Sequence, residues 1–287
     1  MELVSAIITT HNRCELLRRA IDSVSSQTYP LIELIVVDDH SDDGTNEICK
    51  DPRINYIYIP KDESRGGNYA RNLGIKASKG KYCAFLDDDD YWLPTKIEKQ
   101  VELIEKEKCE LVYCGVRTEY VKRKGVFMKD GLPSPIGKGD MSKAILQFIP
   151  TTTSCILVDR KSLFDVGLFD ENLRFWQEYE LCIRMAQRKP FYFVNESLMV
   201  YRLNQRDKNR LTNKYWEWRK AVEYIHQKHA GLYKQLSLIE KYKAVDTVWT
   251  DAANRCWTSG FVWRSLYFQI LTLPRKVMSF VKNVFNS

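Results

Sequence analysis

The first hundred residues alternate between short apolar runs and stretches in which apolar residues recur at helical spacing. Val4–Thr10 and Ile32–Val37 are β-rich runs of the length typical of strands. Asn12, with Glu15 three residues later, predicts a capping box at the start of an intervening helix. That helix has its apolar face at Leu16, Leu17, Ala20, Ile21 and Val24. A strand, a helix and a strand at this spacing predict a βαβ unit with parallel strands and a right-handed crossover.

The pattern continues with two more strands and a second helix. Asn55–Ile59 is β-rich, and Tyr82–Leu86 is a continuous apolar run typical of a buried strand. A helix is predicted over residues 68–77. The pair Gly66–Gly67 precedes it and either brings backbone N–H groups near a phosphate or forms an ordinary loop.

Carboxylates follow two of the predicted strands. Asp38 and Asp39 follow the second strand, and Asp87–Asp90 follow the run that ends at Leu86. Ligands of parallel α/β sheets bind beyond the carboxyl ends of the strands, so these carboxylates are expected on one rim, together with Thr9.

Four consecutive carboxylates repel one another unless a positive group meets them. Side chains alternate along an extended chain, so Asp87 and Asp89 lean the same way, with Cα atoms roughly 7 Å apart. This arrangement suits a hard divalent cation that also binds substrate phosphates. The alternative is an exposed acidic turn that caps the helix starting near Pro94.

Beyond residue 95, helices and strands continue to alternate. The pattern predicts helices at 95–107, 141–149 and within 174–189, strands at 109–120, 151–158 and 191–201, and a loop at 122–140. From residue 211 onward the pattern turns helical. The fold class is therefore α/β, a single Rossmann-type domain with a mainly parallel central sheet (residues 1–205), followed by a helical C-terminal appendage (residues 206–287).

Composition narrows the classes of function. The chain has 287 residues, 44% of them hydrophobic, with a net charge of +7. This mild basic excess favours an anionic partner such as a sugar nucleotide or phospholipid, and nucleic acid is not expected. The eight cysteines include no CxxC pair, so we expect reduced, buried thiols in a cytosolic protein. Neither a signal peptide nor a membrane-spanning helix is expected.

Three segments carry a family resemblance. Residues 4–45 (VSAIITTHNR…QTYPLIELIVVDDHSDDGT), 66–74 (GGNYARNLG) and 85–94 (FLDDDDYWLP) resemble the family-two inverting glycosyltransferases, which have the A-type glycosyltransferase (GT-A) fold. The resemblance covers roughly residues 3–205. It implies a nucleoside-diphosphate sugar donor, with UDP as the nucleotide, and a Mn²⁺ or Mg²⁺ ion.

Matching by position assigns provisional roles. The resemblance implies that Asp39 contacts the uracil, that Thr9 lines the base pocket and that Arg71 approaches the nucleotide. The D-x-D motif is formed by Asp87 and Asp89, with Asp89 the direct metal ligand and Asp88 near the ribose. Alternatives are that Asp39 merely caps a turn and that Arg71 is a surface cation of its helix.

The chain also departs from the family pattern. Where the family usually shows Glu-Asp, with the Asp as general base, this chain has Gln177-Glu178. By position, Glu178 takes the place of the base. The His that often follows the Tyr-Arg pair is absent here, and Arg206 or Arg210 could replace its contact with metal or diphosphate. A direct chemical role for His11 is not expected.

Other single residues keep two interpretations. Glu180 and Arg184 are spaced to form an ion pair on a helix surface. The hydroxyl residues of 151–154 lie where the family binds the acceptor, or they only favour a strand.

The predicted function is transfer of a sugar, with inversion, from a UDP-sugar to a hydroxyl of a glycan or lipid-linked acceptor. Alternatives are a nucleotidyltransferase and a sugar-nucleotide or glycan-binding protein without turnover. The nucleotidyltransferase would not need Glu178, and neither would a pure binding protein.

The last part of the chain predicts a membrane contact. After Asp251 there is no acidic residue, and Pro274 divides the remaining stretch into segments too short to span a bilayer. Its basic residues are Arg255, Arg264, Arg275, Lys276 and Lys282, with aromatic and aliphatic residues between them. Such a composition suits an interfacial helix on an anionic leaflet, at the inner face of the cell membrane. The alternative is packing on the catalytic domain or in a homodimer interface.

Overall fold

The computed structural model describes residues 1–122, 125–204 and 214–272. Within these ranges the chain forms two compact units. The N-terminal unit comprises residues 1–145 and 150–204, and the C-terminal unit comprises 146–149 and 214–272.

The N-terminal unit is an α/β domain. Its strands are β1 (Val4–Thr10), β2 (Ile32–Asp39), β3 (Ile54–Ile59), β4 (Tyr82–Asp87), β5 (Tyr91–Trp92), β6 (Leu111–Lys122), β7 (Gly125–Gly131), β8 (Leu157–Asp159) and β9 (Tyr192–Asn204). Its helices are α1 (Cys14–Ser25), α2 (Thr45–Ile48), α3 (Gly67–Ala77), α4 (Lys96–Glu107), α5 (Arg160–Asp165) and α6 (Gln177–Ala186).

The described strands form one sheet in the order β3-β2-β1-β4-β8-β6-β9-β5, with β7 paired to β6. The four strands from β3 to β4 are mutually parallel, as the βαβ pattern predicts. Beyond them the sheet is mixed, because β8 is antiparallel to both of its neighbours while β6 and β9 are parallel. The parallel half brings the ends of β1, β2 and β4 to one rim.

The core of this unit follows the apolar pattern. Helix α1 buries Leu17, Ala20, Ile21 and Val24 against the sheet, and β4 buries every residue up to Leu86. Helix α3 approaches β1 closely at Gly74, where a Cβ would lie 2.5 Å from a methyl carbon of Ile7. Glycine is therefore the residue that lets α3 pack on the sheet.

Four local predictions are wrong. Asn12 does not cap α1: it has φ 51°, and its Oδ1 accepts a hydrogen bond from the Asp42 N–H (2.8 Å), while α1 begins after Arg13. Residues 125–131 form β7 rather than a loop. Every residue of β7 is exposed, so the sequence lacks the apolar alternation that predicts a strand. Residues 151–158 are predicted to form one strand. They contain the 3₁₀ turn Thr153–Cys155, and β8 begins only at Leu157. Residues 141–149 contain only the 3₁₀ turn Ala144–Gln147.

The C-terminal unit is helical, as predicted. It contains α7 (Tyr215–Lys228), α8 (Ala230–Lys234), α9 (Leu238–Thr258) and α10 (Val262–Leu271). Ser237 and Glu240 form a capping box at the start of α9. Trp218 of α7 and Cys256 of α9 are buried. No described helix combines the length and the hydrophobicity that crossing a bilayer requires.

Candidate functional site

The predicted rim exists, and strand register sets its geometry. Thr9 of β1 is paired with Asp87 of β4 on one side and with Val37 of β2 on the other. Asp39 ends β2 two residues beyond Val37. Neighbouring parallel strands lie about 4.8 Å apart. The acidic ends of β2 and β4 are therefore two strand spacings apart, with Thr9 of β1 between them.

The two aspartates at the end of β2 differ in burial and in hydrogen bonding. Asp38 is fully buried: its Oδ1 accepts from the Ser41 N–H (2.9 Å) and its Oδ2 from the Tyr56 hydroxyl (2.7 Å). Asp39 is partly exposed, with its Oδ1 3.2 Å from His40 Nδ1. Asp38, not Asp39, therefore caps the turn, and Asp39 remains on the open side of the rim.

The imidazoles of two histidines lie beside Asp39. His11 Nδ1 is 2.5 Å from the Asp39 carbonyl oxygen, and the rings of His11 and His40 are 4.4 Å apart. His11 Nδ1 thus contacts backbone rather than a carboxylate, and the absence of a direct chemical role for His11 stays a prediction.

The four aspartates after β4 alternate between exposed and buried positions. Asp87 and Asp89 each keep 37% of the side chain exposed, whereas Asp88 and Asp90 are buried. Asp87 and Asp89 are therefore the two carboxylates of the run that solvent reaches. The chain is not extended here, contrary to the prediction, because β4 ends at Asp87 and a turn follows, in which the Asp90 N–H donates to the Asp87 carbonyl (3.0 Å).

Arg13 is the positive group that meets this acidic run. Its Nη1 donates to Asp88 Oδ1 (2.9 Å) and Asp89 Oδ2 (3.0 Å). The Thr10 hydroxyl donates to Asp88 Oδ2 (2.9 Å). Burial raises the pKa of Asp88 to about 6, and the charge of Arg13 opposes that rise. Sequence reasoning missed Arg13, although its signal was the need for a cation near four carboxylates.

Asp90 is tied to a different segment. The Ser154 hydroxyl donates to Asp90 Oδ2 (2.7 Å) and accepts from the Asp87 N–H (3.1 Å). Burial raises the pKa of Asp90 well above its usual range, and the charges of Asp89 and Asp87 add to that rise. Its Oδ1 is buried without a hydrogen-bond partner among the described residues. Of the hydroxyl residues 151–154, Ser154 therefore supports the acidic run directly.

Arg71 links the acidic run to helix α6. The side chain is buried, so the surface-cation alternative is excluded. Its Nη2 donates to Asp87 Oδ1 (2.6 Å), and its Nη1 donates to Gln177 Oε1 (2.6 Å) and Asn68 Oδ1 (3.2 Å). Gln177, which departs from the usual family acid, is thus a neutral acceptor for Arg71.

Glu178 lies in the first turn of α6, next to Gln177. The helix dipole favours a carboxylate there, and the Thr153 hydroxyl donates to its Oε2 (3.4 Å). Burial raises the pKa of Glu178, and the nearby charge of Arg71 opposes that rise. Glu178 is partly exposed, and a carboxylate with a raised pKa that solvent reaches can act as a general base.

Glu180 serves a structural purpose. It is fully buried and accepts hydrogen bonds from Arg184 Nε (3.0 and 3.1 Å) and Nη2 (2.6 Å). The predicted ion pair forms, but it is buried in the core rather than on a helix surface.

Comparison with known protein families decides the identity. The profile of Glycosyl transferase family 2 matches residues 5–169, more than half of the chain. The chain belongs to this family. The matched range contains the whole acidic rim, from Thr9 to Asp90.

Relatives in this family extend the match. An uncharacterized glycosyltransferase of Rickettsia prowazekii (strain Madrid E) is 35% identical over 209 residues, covering 70% of this chain and 64% of the relative. The UDP-Glc:alpha-D-GlcNAc-diphosphoundecaprenol beta-1,3-glucosyltransferase WfaP of Escherichia coli is 37% identical over 174 residues, covering 58% of this chain and 64% of WfaP. This chain thus spans just under two thirds of the length of these relatives.

Solved structures show the same fold. The crystal structure of S. aureus TarS 1–349 in complex with UDP superposes with a TM-score of 0.58 at 14% identity, covering 96% of this chain and 91% of that one. The family-2 chain therefore has the GT-A-type fold that its motifs imply.

The rim of this family-2 domain fits a metal ion only in part. Asp87 and Asp89 offer the carboxylate oxygens that Mg²⁺ and Mn²⁺ prefer. However, the described residues contain no group of three His, Cys, Asp or Glu that could hold a metal ion, and Asp87 and Asp89 are ion-paired with Arg71 and Arg13. The residues therefore fit a site that the phosphates of a bound donor complete.

Two predicted phosphate contacts lie outside the described residues. Arg206 and Arg210, which could replace the missing His, fall in the range 205–213.

Proposed function

We propose that this chain transfers a sugar from a UDP-sugar to a hydroxyl of a glycan or lipid-linked acceptor, with inversion at the anomeric carbon. The observation that carries the proposal is the Arg71 link, which joins Asp87 of the acidic rim to the start of α6, where Glu178 lies. The relative WfaP, named for a UDP-Glc donor and an undecaprenol-linked acceptor, supports both substrate classes.

The donor is proposed to lie along the rim. Asp39 and Thr9 contact the uracil, Asp88 lies near the ribose and Arg71 near the diphosphate. Asp89 and Asp87 would hold Mn²⁺ or Mg²⁺ together with the donor phosphates, and the ion would stabilise charge on the departing UDP. For that, Asp89 must exchange its ion pair with Arg13 for the metal.

Glu178 is the proposed base. Its carboxylate takes the proton of the acceptor hydroxyl while that oxygen forms a bond to the anomeric carbon. The bond from the anomeric carbon to the β-phosphate oxygen breaks, and UDP leaves with that electron pair. One displacement of this kind inverts the anomeric configuration.

The place of action is proposed to be the inner face of the cell membrane, where a lipid-linked acceptor is presented. The basic, aromatic composition of the last part of the chain supports this location.

The test is UDP release from a panel of UDP-sugars, with and without Mn²⁺ and an acceptor extract, followed by NMR of the product. We expect metal-stimulated release of UDP with one sugar and an inverted anomeric centre. Release of a sugar 1-phosphate, with the uridylyl group transferred to an acceptor, would indicate a nucleotidyltransferase, and binding without release of either product would indicate a binding protein. A product with the configuration of the donor would reject inversion.

A further inference from the structure

Helix α10 turns its largest apolar side chains outward. Trp263 is 84% exposed and Ile270 is 63% exposed, and Val262, Leu266 and Tyr267 are exposed as well. A surface helix ordinarily buries its apolar face. An exposed apolar patch of this kind marks an interaction site.

The side of α10 that packs inward is small and polar. Ser265 is fully buried, and its hydroxyl donates to the Ala253 carbonyl of α9 (2.8 Å). Ala252 and Ala253 are buried on the α9 side. These small residues allow a close contact between the two helices, and the bulky residues of α10 are left on the outside.

A cleft beside α10 combines aromatic walls with an available cation. Its volume is about 460 Å³, and it is lined by Tyr215, Trp216, Arg219, Arg264, Tyr267 and Phe268. The guanidinium of Arg264 lies 4.6 Å from the ring centre of Trp216, and no carboxylate of the described residues pairs with it. Arg219, by contrast, donates to Glu223 (2.9 Å). Arg264 is therefore free to meet an anion.

We propose that α10 and this cleft dock on an anionic phospholipid bilayer, with Trp263 and Ile270 entering the interface and Arg264 contacting lipid phosphate. Residues 252–287 contain no acidic residue and the basic residues Arg255, Arg264, Arg275, Lys276 and Lys282. A second copy would bring like charges together, whereas an anionic leaflet supplies both apolar area and negative charge. Tryptophan and tyrosine are enriched at membrane–water interfaces, and arginine is typical of the polar face of interfacial helices.

This inference deepens the membrane location proposed above and rests on it, but not on the donor, the metal or the base. It assigns the contact to described residues of α10 and the cleft.

The test is co-sedimentation of the full chain with vesicles of phosphatidylcholine, with and without phosphatidylglycerol, at low and high salt. We expect binding only with phosphatidylglycerol and weaker binding at high salt. Ile270→Glu should lower the bound fraction about tenfold, because it places a carboxylate at the lipid face. Arg264→Gln should weaken binding and reduce its salt dependence.

Ile136→Glu is the matched control. Ile136 lies in the N-terminal unit and is 65% exposed, close to the 63% of Ile270, so the same substitution removes the same exposed side chain. We expect wild-type vesicle binding from this variant, and we expect Ile270→Glu to release UDP with a water-soluble acceptor at the wild-type rate. If the wild type binds vesicles but transfers no sugar to the water-soluble acceptor, the proposed function is rejected and the proposed docking surface is not.

Three outcomes would overturn the proposal. The first is equal binding by Ile270→Glu and wild type. The second is a dimer in light scattering that Ile270→Glu dissociates, without vesicle binding by the wild type. The third is binding that disappears on removal of residues 273–287 but is insensitive to Ile270→Glu, which would assign the contact to that segment.

Discussion

Arg71 donates to Asp87 across 2.6 Å, and the same guanidinium donates to Gln177 across 2.6 Å. The acidic end of β4 and the start of α6 are thereby held together by one buried side chain. A shift of α6 would move Glu178 relative to the rim, so this contact is expected to position the base.

Gln177 can be tested without altering a charged group. In Gln177→Leu, Arg71 Nη1 retains only Asn68 Oδ1 (3.2 Å) as a partner. A hydrogen bond to a charged group contributes about 1.5–3 kcal/mol, so we expect kcat to fall at least about tenfold. Gln177→Glu keeps an acceptor and should retain most of the rate. Steady-state kinetics that show equal kcat for the Leu variant and the wild type would contradict the positioning role.

Glu178→Gln tests the base. Positioned general bases contribute about 10²–10⁴-fold, so kcat should fall on that scale. UDP affinity, measured by calorimetry, should stay unchanged, because the Gln side chain has the same shape.

The pH profile gives an independent check on Glu178. Burial raises its pKa, and only the ionised form accepts a proton. The wild-type kcat should therefore decline as pH falls through that raised pKa, and Glu178→Gln should lack this limb. A Gln variant with wild-type turnover would move the role to another group.

Metal dependence is tested at Asp89. We expect EDTA to abolish transfer reversibly, with Mn²⁺ restoring it, and Asp89→Ala to abolish transfer at every Mn²⁺ concentration. Asp165→Ala, which removes an exposed aspartate of helix α5, is the control and should keep its activity. If the wild type transfers sugar at its full rate in EDTA and the Asp89→Ala variant is also active, the metal assignment is wrong.

Asp38 and Asp39 are neighbours with different expected roles. Asp39→Asn should weaken UDP binding in calorimetry while the melting temperature stays the same, since Asp39 is partly exposed. Asp38→Ala should lower the melting temperature, because it leaves the Ser41 N–H and the Tyr56 hydroxyl without their acceptor. Unchanged UDP affinity of Asp39→Asn would count against a base-pocket role.

The sequence predicts the parts of this site that depend on local pattern. Both the strand that ends at Asp87 and the helix that carries Arg71 follow from side-chain period and apolar runs. These features need no knowledge of distant contacts.

Pairings between distant segments are not readable in this way. Neither the Ser154–Asp90 hydrogen bond nor the Arg13–Asp89 ion pair leaves a periodic signal, since each depends on how loops meet at the rim. Likewise, the sequence does not show that the Tyr56 hydroxyl donates to Asp38 or that Asp39 stays partly exposed. Strand β7 escaped prediction because backbone pairing to β6 holds it without a buried face.

Asp90 gives a prediction about stability. Burial, with the charges of Asp89 and Asp87, raises its pKa well above the unfolded value of about 4. The folded state therefore binds a proton that the unfolded state has released, and the wild type loses stability as pH rises between these two pKa values. Asp90→Asn does not titrate and keeps an acceptor for the Ser154 hydroxyl.

We therefore expect the melting temperature of Asp90→Asn, relative to wild type, to be higher at about pH 8 than at about pH 5. Asp165→Asn is the control. Hydrogen bonding from Lys161 lowers the pKa of the exposed Asp165 in the folded state, so Asp165 is ionised in both the folded and the unfolded state from about pH 5 to about pH 8. The change in melting temperature caused by Asp165→Asn should therefore be the same at both pH values. A constant difference for Asp90→Asn as well would contradict the raised pKa. Transfer by Asp90→Asn should exceed that of Glu178→Gln, since the base remains, and the reverse order would make Asp90 the base.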